Sequence, residues 1–539
     1  MVTMIMKHHL LIKTMLERAR KLFPKKQIYS SCLDKDYRFT YGDFYKRVCK
    51  LGNVLQSLDV KRGDKIGTLA WNNHRHLELY FATTCSGAVL HTLNLRLFSE
   101  HLLHVINHAE DKIIFLDEDL IPLLEKISDQ LKTVKYFVVM TDKTEIPETS
   151  LSPVLNYEKL LEDASEIIDF PDDLDENLPA GMCYTTATTG LPKGVVYTHR
   201  SIYLHSLALS LQDVLGISER DVVLPVVPMF HVMAWGIPFA TTWLGASVVL
   251  PGRVLTPEAL CQLMEKERVT LSAGVPTIWM NIFHHLESGA KYDLSSLRYF
   301  VNGGSAIAKD IIKAFEKKHG ISILHAYGMT ETSPVVLSSP LKSYMFDWDE
   351  ETQYSKRAKQ GLLIPGLEMK IVNEKGEEVK WDGKEMGELC VKGPWIAGEY
   401  YKEPERTKEN MREGWLHTND IVTIDEEGYI LIQDRAKDLI KSGGEWISSV
   451  DLENTIMSHS SVVEAAVIAI PDEKWQERPM ACVVPKKGVQ LTEQDLINYL
   501  KDQLVKWWVP DKVIFVEEIP KTSVGKFDKK TLREKYSIQ

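Results

Sequence analysis

Short apolar runs alternate with stretches of helical period along the first part of the chain. Residues 65–71 read as a strand, 76–89 as a helix, 112–116 and 136–140 as strands, and 120–131 as a helix between them. Such alternation predicts βαβ units on a largely parallel sheet. Leu10, Leu11, Met15 and Leu22 read as one face of a short N-terminal helix. The polar, acidic stretch 165–177 interrupts the pattern as a surface connection. The alternation then resumes, with strands at 221–228, 246–250, 297–301 and 321–324 and helices at 257–268 and 309–318. From about 436 the character changes. Residues 463–470 and 480–485 suggest an antiparallel pair, followed by a helix at 493–504 and a strand at 513–517. This predicts an α/β fold in two domains. Residues 1–435 form a large one with parallel-rich sheets, and 436–539 a small α+β one. No fixed-period repeat or low-complexity tract occurs.

Composition narrows the function classes. The 539 residues are 44% hydrophobic and 26% charged, with a formal net charge of -11. That suits a soluble multidomain protein and gives no basic block for nucleic acid. Cys32, Cys49, Cys85, Cys183, Cys261, Cys390 and Cys482 are scattered and never form a C-x-x-C pair. They predict neither a disulfide framework nor a zinc site, and fit a reducing cytoplasm. Lys7, His8, His9 and Lys13 break the N-terminal apolar stretch, so no signal peptide is expected. No apolar run reaches the roughly 18 residues of a membrane span; peripheral membrane contact stays open.

The most informative segment runs Tyr184-Thr185-Thr186-Ala187-Thr188-Thr189-Gly190-Leu191-Pro192-Lys193-Gly194. Threonine hydroxyls donate to phosphate oxygens, glycines let the backbone approach an anion, and a lysine supplies mobile charge. It is not a Walker A loop, because Gly194 follows Lys193.

This loop resembles the phosphate loop of the adenylate-forming superfamily of acyl-CoA synthetases, luciferases and peptide-synthetase adenylation domains. Further blocks follow in the family's order. They are Pro228-Met229-Phe230-His231, Gly303-Gly304-Ser305, Tyr327-Gly328-Met329-Thr330-Glu331, Gly387-Glu388-Leu389, Trp415 through Asp420, Asp434-Arg435-Ala436-Lys437-Asp438, and Pro520-Lys521-Thr522-Ser523-Val524-Gly525-Lys526. The resemblance covers roughly residues 30 to 535. It implies a β-barrel-like subdomain in the large domain and mobility of the small one. It also implies ATP, magnesium and coenzyme A as cofactor and co-substrates.

The resemblance implies these roles. Thr185, Thr186, Ala187, Thr188, Thr189, Gly190 and Lys193 hold the polyphosphate. Gly303, Gly304, Ser305, Ala326, Tyr327, Gly328 and Met329 line the nucleotide, with Tyr327 stacked on adenine. Thr330 meets the α-phosphate, and Glu331 binds magnesium with Thr185 as second contact. Asp420 accepts from the ribose hydroxyls, a task suited to a carboxylate, and Arg435 reinforces the nucleotide. Lys526 bridges carboxylate and α-phosphate during adenylation. Lys437 is the hinge about which the small domain turns, replacing Lys526 with Gly443, Gly444, Glu445 and Trp446 along a pantetheine channel.

The segment from Phe230 to Trp235 resembles that of bacterial long-chain fatty acyl-CoA synthetases. Trp235 is the candidate gate or floor of an acyl pocket and His231 a candidate wall. A gate predicts medium- to long-chain fatty acids, whereas a floor predicts short or hydroxylated ones. Ala187, Asn419 and Ala326 stand where the family has glycine. Ala187 leaves open a third reading, a catalytically weak nucleotide-binding regulatory protein. Family habit implies a homodimer.

Overall fold

We describe the chain from a computed structural model, which covers residues 6–32, 35–185, 191–436, 438–442, 445–472, 474–486, 488–521 and 527–536. Of the residues the sequence points to, Thr186, Ala187, Thr188, Thr189, Gly190, Lys437, Gly443, Gly444 and Lys526 lie outside this description, as does the side chain of Glu445.

The alternation of strand and helix folds into two mostly parallel sheets. In the first, six strands lie parallel in the order Val154–Asn156, Tyr136–Met140, Asp111–Asp117, Lys65–Leu69, Val89–Thr92 and Pro179–Tyr184, and Gly194–Thr198 adds an antiparallel edge. The second sheet is nine-stranded. Its parallel centre runs Ser322–Gly328, Tyr299–Asn302, Leu271–Gly274, Val222–Pro225, Ser247–Leu250 and Gln27–Ser31. The largest apolar core draws on both, with Ile66, Leu90 and Ile113 from the first sheet and Val248, Leu271 and Val301 from the second. Burial on both faces explains why these strands read as continuous apolar runs rather than alternating ones.

Three expectations shift. The helix expected over 76–89 is His74–Cys85, and Val89 opens a strand after a turn at Gly87, whose φ is +80°. The helix expected over 120–131 shrinks to Ile121–Glu125 between two 3₁₀ turns, where the Ser128 hydroxyl donates to Glu125 O at 3.4 Å. The N-terminal helix Ile12–Leu22 buries Leu11, Ile12, Met15, Leu16 and Ala19, but Leu22 is 61% exposed. Leu22 keeps the helical period of Leu11, Met15 and Ala19, but it is the last residue of the helix and is left in solvent.

Beyond the second sheet lies a five-stranded antiparallel sheet, in the place of the expected barrel-like subdomain. Glu368–Val372, Gly387–Lys392 and Trp415–Ile424 are consecutive neighbours. Met411–Arg412 and Ile430–Arg435 both pair with Trp415–Ile424. The C-terminal part is α+β. The hairpin Val462–Asp472 with Gln476–Pro485 carries Lys512–Phe515 alongside, and the helices Ser449–Met457 and Glu493–Gln503 pack on it. Its core of Ile440, Leu452, Val467, Ala481 and Leu496 is distinct from those of the large part. The two parts meet where Gln433 O accepts from Ser448 Oγ at 2.5 Å and Asp434 accepts from Ser449 N at 2.8 Å.

Candidate active site

The C-terminal strand ends of the second sheet and the loops after them carry many of the predicted residues, the place where open α/β sheets expose ligand sites. Tyr299–Asn302 runs into Gly303-Gly304-Ser305, and Ser322–Gly328 runs into a 3₁₀ turn, Thr330–Thr332. Gly328 is required by close approach: a Cβ there would lie 2.1 Å from Pro334 O. Asn302 fixes the first turn by donating from Nδ2 to Ser305 O at 3.1 Å.

The candidate phosphate loop connects the antiparallel strands Pro179–Tyr184 and Gly194–Thr198. Its ends are tied together, because Thr185 N donates to Lys193 O at 2.9 Å and Lys193 N donates to Thr185 Oγ1 at 3.3 Å. Lys193 Nζ lies 4.1 Å from the centre of the Tyr400 ring. The Tyr400 hydroxyl donates to Glu331 Oε1 at 2.6 Å. The loop lysine and the predicted metal carboxylate are thus joined through one buried tyrosine. Burial lowers the Lys193 ammonium below the usual lysine range, and the Glu331 charge opposes this. Burial, then the Glu331 charge, pushes the Tyr400 hydroxyl far above the ordinary tyrosine range, so it stays a donor. Tyr197 OH donates to Thr330 O at 2.7 Å and Ala397 N to Glu331 O at 2.8 Å, fixing the 3₁₀ turn.

A second cluster surrounds Asp420, which is buried. Asp420 and Arg435 face each other across antiparallel strands, with Arg435 Nε 2.7 Å from Asp420 Oδ1. Tyr327 OH donates to Asp420 Oδ2. Among the described residues each carboxylate oxygen therefore has one side-chain partner and keeps a lone pair for another donor. The Asp420 charge raises the Arg435 guanidinium, with Tyr327 and Glu331 adding to the effect, so Arg435 lies within electrostatic reach of both clusters. Asn419 adopts φ +59°, a conformation that asparagine tolerates, which accounts for its standing in the place of glycine.

Trp235 belongs to an unusual turn. Val232, Met233, Ala234 and Trp235 have φ between +46° and +58°, and Gly236 follows at +74°. A left-handed conformation costs about 1–2 kcal/mol per non-glycine residue, so packing must hold it. Met233 lies against Gly181, Gly236 against the buried His205, and the Trp235 ring against Gly303, where a Cβ would come within 2.8 Å of Cη2. Burial lowers His205 to about 3, so its neutral Nε2 accepts from Val335 N at 3.2 Å. The structure therefore brings the acyl-pocket candidate directly against the Gly303-Gly304-Ser305 turn. His231 is half-buried, and its backbone N donates to Pro228 O at 3.1 Å.

Trp446 sits elsewhere. It pairs with Lys441 in the hairpin of Ile440–Ser442 with Glu445–Ile447, and Lys441 Nζ lies 4.8 Å from the Trp446 ring centre. Lys441 also approaches Glu374 at 4.0 Å. The segment 522–526 is bracketed by a bridge between Lys521 and Phe527 and by Asp528 N donating to Pro520 O at 2.8 Å.

Tyr400 and Asn302 are site residues that sequence reasoning missed. Asn302 has the signal of a polar residue ending an apolar strand before Gly303-Gly304. Tyr400 has the weaker one of a tyrosine pair after Gly393-Pro394.

Glu331 carboxylate and Thr185 hydroxyl are hard oxygen donors, which fit magnesium.

Residues 16–401 match the AMP-binding enzyme family, and residues 451–526 match the AMP-binding enzyme C-terminal domain. A long-chain-fatty-acid–CoA ligase of Thermus thermophilus is 49% identical over 97% of this chain and 94% of its own length. A medium-chain-fatty-acid–CoA ligase of Ectopseudomonas oleovorans is 39% identical over 99% and 98%. A 3-methylmercaptopropionyl-CoA ligase of Ruegeria lacuscaerulensis is 41% identical over 99% of both. Among solved structures, ATP-bound MatB from Rhodopseudomonas palustris superposes with a TM-score of 0.81 at 26% identity, over 97% of this chain and 99% of that one. A strand-and-turn scaffold with tied phosphate-loop ends and an aspartate paired to arginine thus coincides with these matches, and the chain belongs to the AMP-binding enzyme family.

Proposed function

We propose that this chain is an AMP-forming acyl-CoA synthetase for medium- to long-chain fatty acids. The observation that carries the reading is the short segment from Tyr327 to Glu331, which supplies a member of each cluster: Tyr327 donates to Asp420 beside Arg435, and Glu331 accepts from Tyr400, whose ring lies beneath Lys193. One pocket then grips both ends of ATP. Asp420 takes the ribose hydroxyls with its remaining lone pairs, and Lys193 and Thr185 face the polyphosphate.

In the first step a fatty carboxylate oxygen attacks the α-phosphorus. An O–P bond forms, the bond to the bridging oxygen breaks, and pyrophosphate leaves. Two anions meet, a carboxylate and a triphosphate, so alignment and charge neutralisation supply most of the catalysis. Lys526 bridges the carboxylate and α-phosphate at this stage. Glu331 and Thr185 would hold a magnesium ion bound with ATP, which would supply charge neutralisation to the polyphosphate. In the second step the coenzyme A thiol loses its proton to solvent, its sulfur bonds to the acyl carbonyl carbon, and AMP leaves.

The two steps use two positions of residues 436–539, turning at Lys437 against residues 1–435. Gln433···Ser448 and Asp434···Ser449 straddle that point, so turning breaks both. Trp446 and its neighbours, now beside Glu374, reach the pocket by that rotation. All seven cysteines are free, which suits a cytoplasmic setting. Among the described residues no helix is long and apolar enough to cross a membrane.

The relatives are named for fatty-acid and for shorter thioether substrates. A second reading, a ligase for short or hydroxylated acids, is favoured by the Trp235 ring resting on Gly303, where it would act as a pocket floor. ATP–pyrophosphate exchange measured from acetate to palmitate separates the two. Exchange rising toward the longer acids supports the first reading, a maximum at four carbons or fewer supports the second, and ATP binding without exchange for any acid overturns both.

A further inference from the structure

Outside the nucleotide pocket, the antiparallel sheet gathers three donors of different chemistry on one face. Glu388 and Cys390 are two apart on Gly387–Lys392, and His417 is the cross-strand partner of Cys390. Their ligand atoms all lie within 4.8 Å of one another. Cys390 Sγ is 3.3 Å, and Glu388 Oε2 is 2.7 Å, from His417 Nδ1. The strand register explains the convergence. Cys390 pairs with His417 but Glu388 pairs with Ile421, so a bulge places Thr418, Asn419 and Asp420 opposite Leu389 alone. The irregularity that turns Glu388 toward His417 also presents Asp420.

The arrangement is electrostatically unresolved as it stands. Arg412 Nη2 also lies 2.8 Å from His417 Nδ1 and 3.5 Å from Glu388 Oε2. If Nδ1 carries a proton, it donates to Glu388 and opposes the guanidinium. If it carries a lone pair, it accepts from Arg412 and opposes the carboxylate. A compact cation among the three atoms removes the conflict, because lone pair, thiolate and carboxylate then all face positive charge. The Arg412 side chain, 53% exposed, can leave to water. A nitrogen, sulfur and oxygen donor set suits Zn²⁺ and excludes magnesium or calcium.

We propose that Glu388, Cys390 and His417 form an inhibitory site for a zinc-like divalent cation that reports to the nucleotide pocket. On binding, three coordinate bonds form, the Cys390 thiol proton passes to water, and Arg412 swings out. Glu388 Oε1 accepts from Asn419 N at 3.0 Å, next to Asp420, so a pull on this carboxylate is felt at the ribose end. The inhibitory half rests on the function proposed above, whereas the binding half does not.

The test uses the full chain and Co²⁺ as a spectroscopic substitute for zinc. We expect a thiolate-to-cobalt charge-transfer band and tetrahedral d–d bands at one equivalent. Cys390→Ser should abolish the charge-transfer band, and His417→Gln should weaken binding about tenfold or more. With Zn²⁺ in the acid-dependent exchange assay, the KM for ATP should rise several-fold in the wild type and stay flat in Cys390→Ser, whose metal-free activity should be unchanged. A cobalt spectrum without the thiolate band, or one identical in Cys390→Ser, overturns the site. Zinc inhibition persisting in Cys390→Ser overturns the coupling by placing the metal at the ATP pocket. Should Cys390→Ser fold poorly, His417→Gln carries both readouts. Cobalt binding in a chain that makes no adenylate would refute the proposed function and leave the metal site standing.

Discussion

Replacing Tyr400 by phenylalanine separates the two things this tyrosine does. The variant keeps the ring beneath Lys193 and deletes the hydroxyl that donates to Glu331. A hydrogen bond to a charged acceptor contributes about 1.5–3 kcal/mol, and each 1.36 kcal/mol is about tenfold. The acceptor is buried, at 5% exposure, so water cannot easily replace the donor. We therefore expect kcat/KM for ATP in acid-dependent pyrophosphate exchange to fall about tenfold or more. Tyr400→Leu also removes the ring, and the lost cation–π contact adds about 0.5–2 kcal/mol. The order should be wild type, then Phe, then Leu, with thermal melting run in parallel to discount unfolding. A Phe variant equal to the wild type would show that the hydroxyl does not orient Glu331. A Phe variant equal to Leu would show that the ring does nothing for Lys193.

Other expectations can be checked with the same protein. Asp420→Asn keeps the volume but removes the charge facing Arg435, so the KM for ATP should rise about tenfold or more; an unchanged KM would remove the ribose assignment. Trp235→Ala should shift the preferred acid upward in length or loosen the gate, whereas an unaltered chain-length profile would take Trp235 out of the pocket. Burial raises Glu453 to about 7, although Lys529 at 2.7 Å opposes the rise. The folded state then holds a proton that the unfolded state has released. Stability of the C-terminal part should be highest below about pH 4.5 as regards this group and fall by about 3 kcal/mol as pH rises to 7. Urea unfolding followed at several pH values measures this, and Glu453→Gln should flatten the slope; an equal slope in both proteins would contradict it.

The fold was readable where one force dominated. Strands buried on both faces announced themselves as apolar runs, and 136–140 coincides with Tyr136–Met140. Boundaries failed where local competition decided them, as at Ser128, or where a glycine turn switched helix to strand before Val89. The site was readable to the extent that its chemistry sits in contiguous segments. Thr330 and Glu331 share a turn, and Asp420 and Arg435 were named separately before the strands placed them face to face. Tyr400 was barely readable, because its role comes from two partners 207 and 69 positions away in the chain and a tyrosine pair alone is a weak signal. The left-handed run of Val232 to Trp235 was equally hidden, since branched and aromatic residues give no warning of positive φ. The metal-ligand group escaped for a similar reason: a search for C-x-x-C pairs cannot see donors joined across a strand bulge.

Separating the two half-reactions in Lys526→Ala tests the central claim most directly. Rapid-quench single turnover should show adenylate formation from fatty acid and ATP falling about a hundredfold or more. Thioester formation from supplied acyl-adenylate and coenzyme A should stay within a few-fold of the wild type. Adenylate appearing at the wild-type rate, or both steps failing together in a folded variant, would contradict alternating use of one pocket.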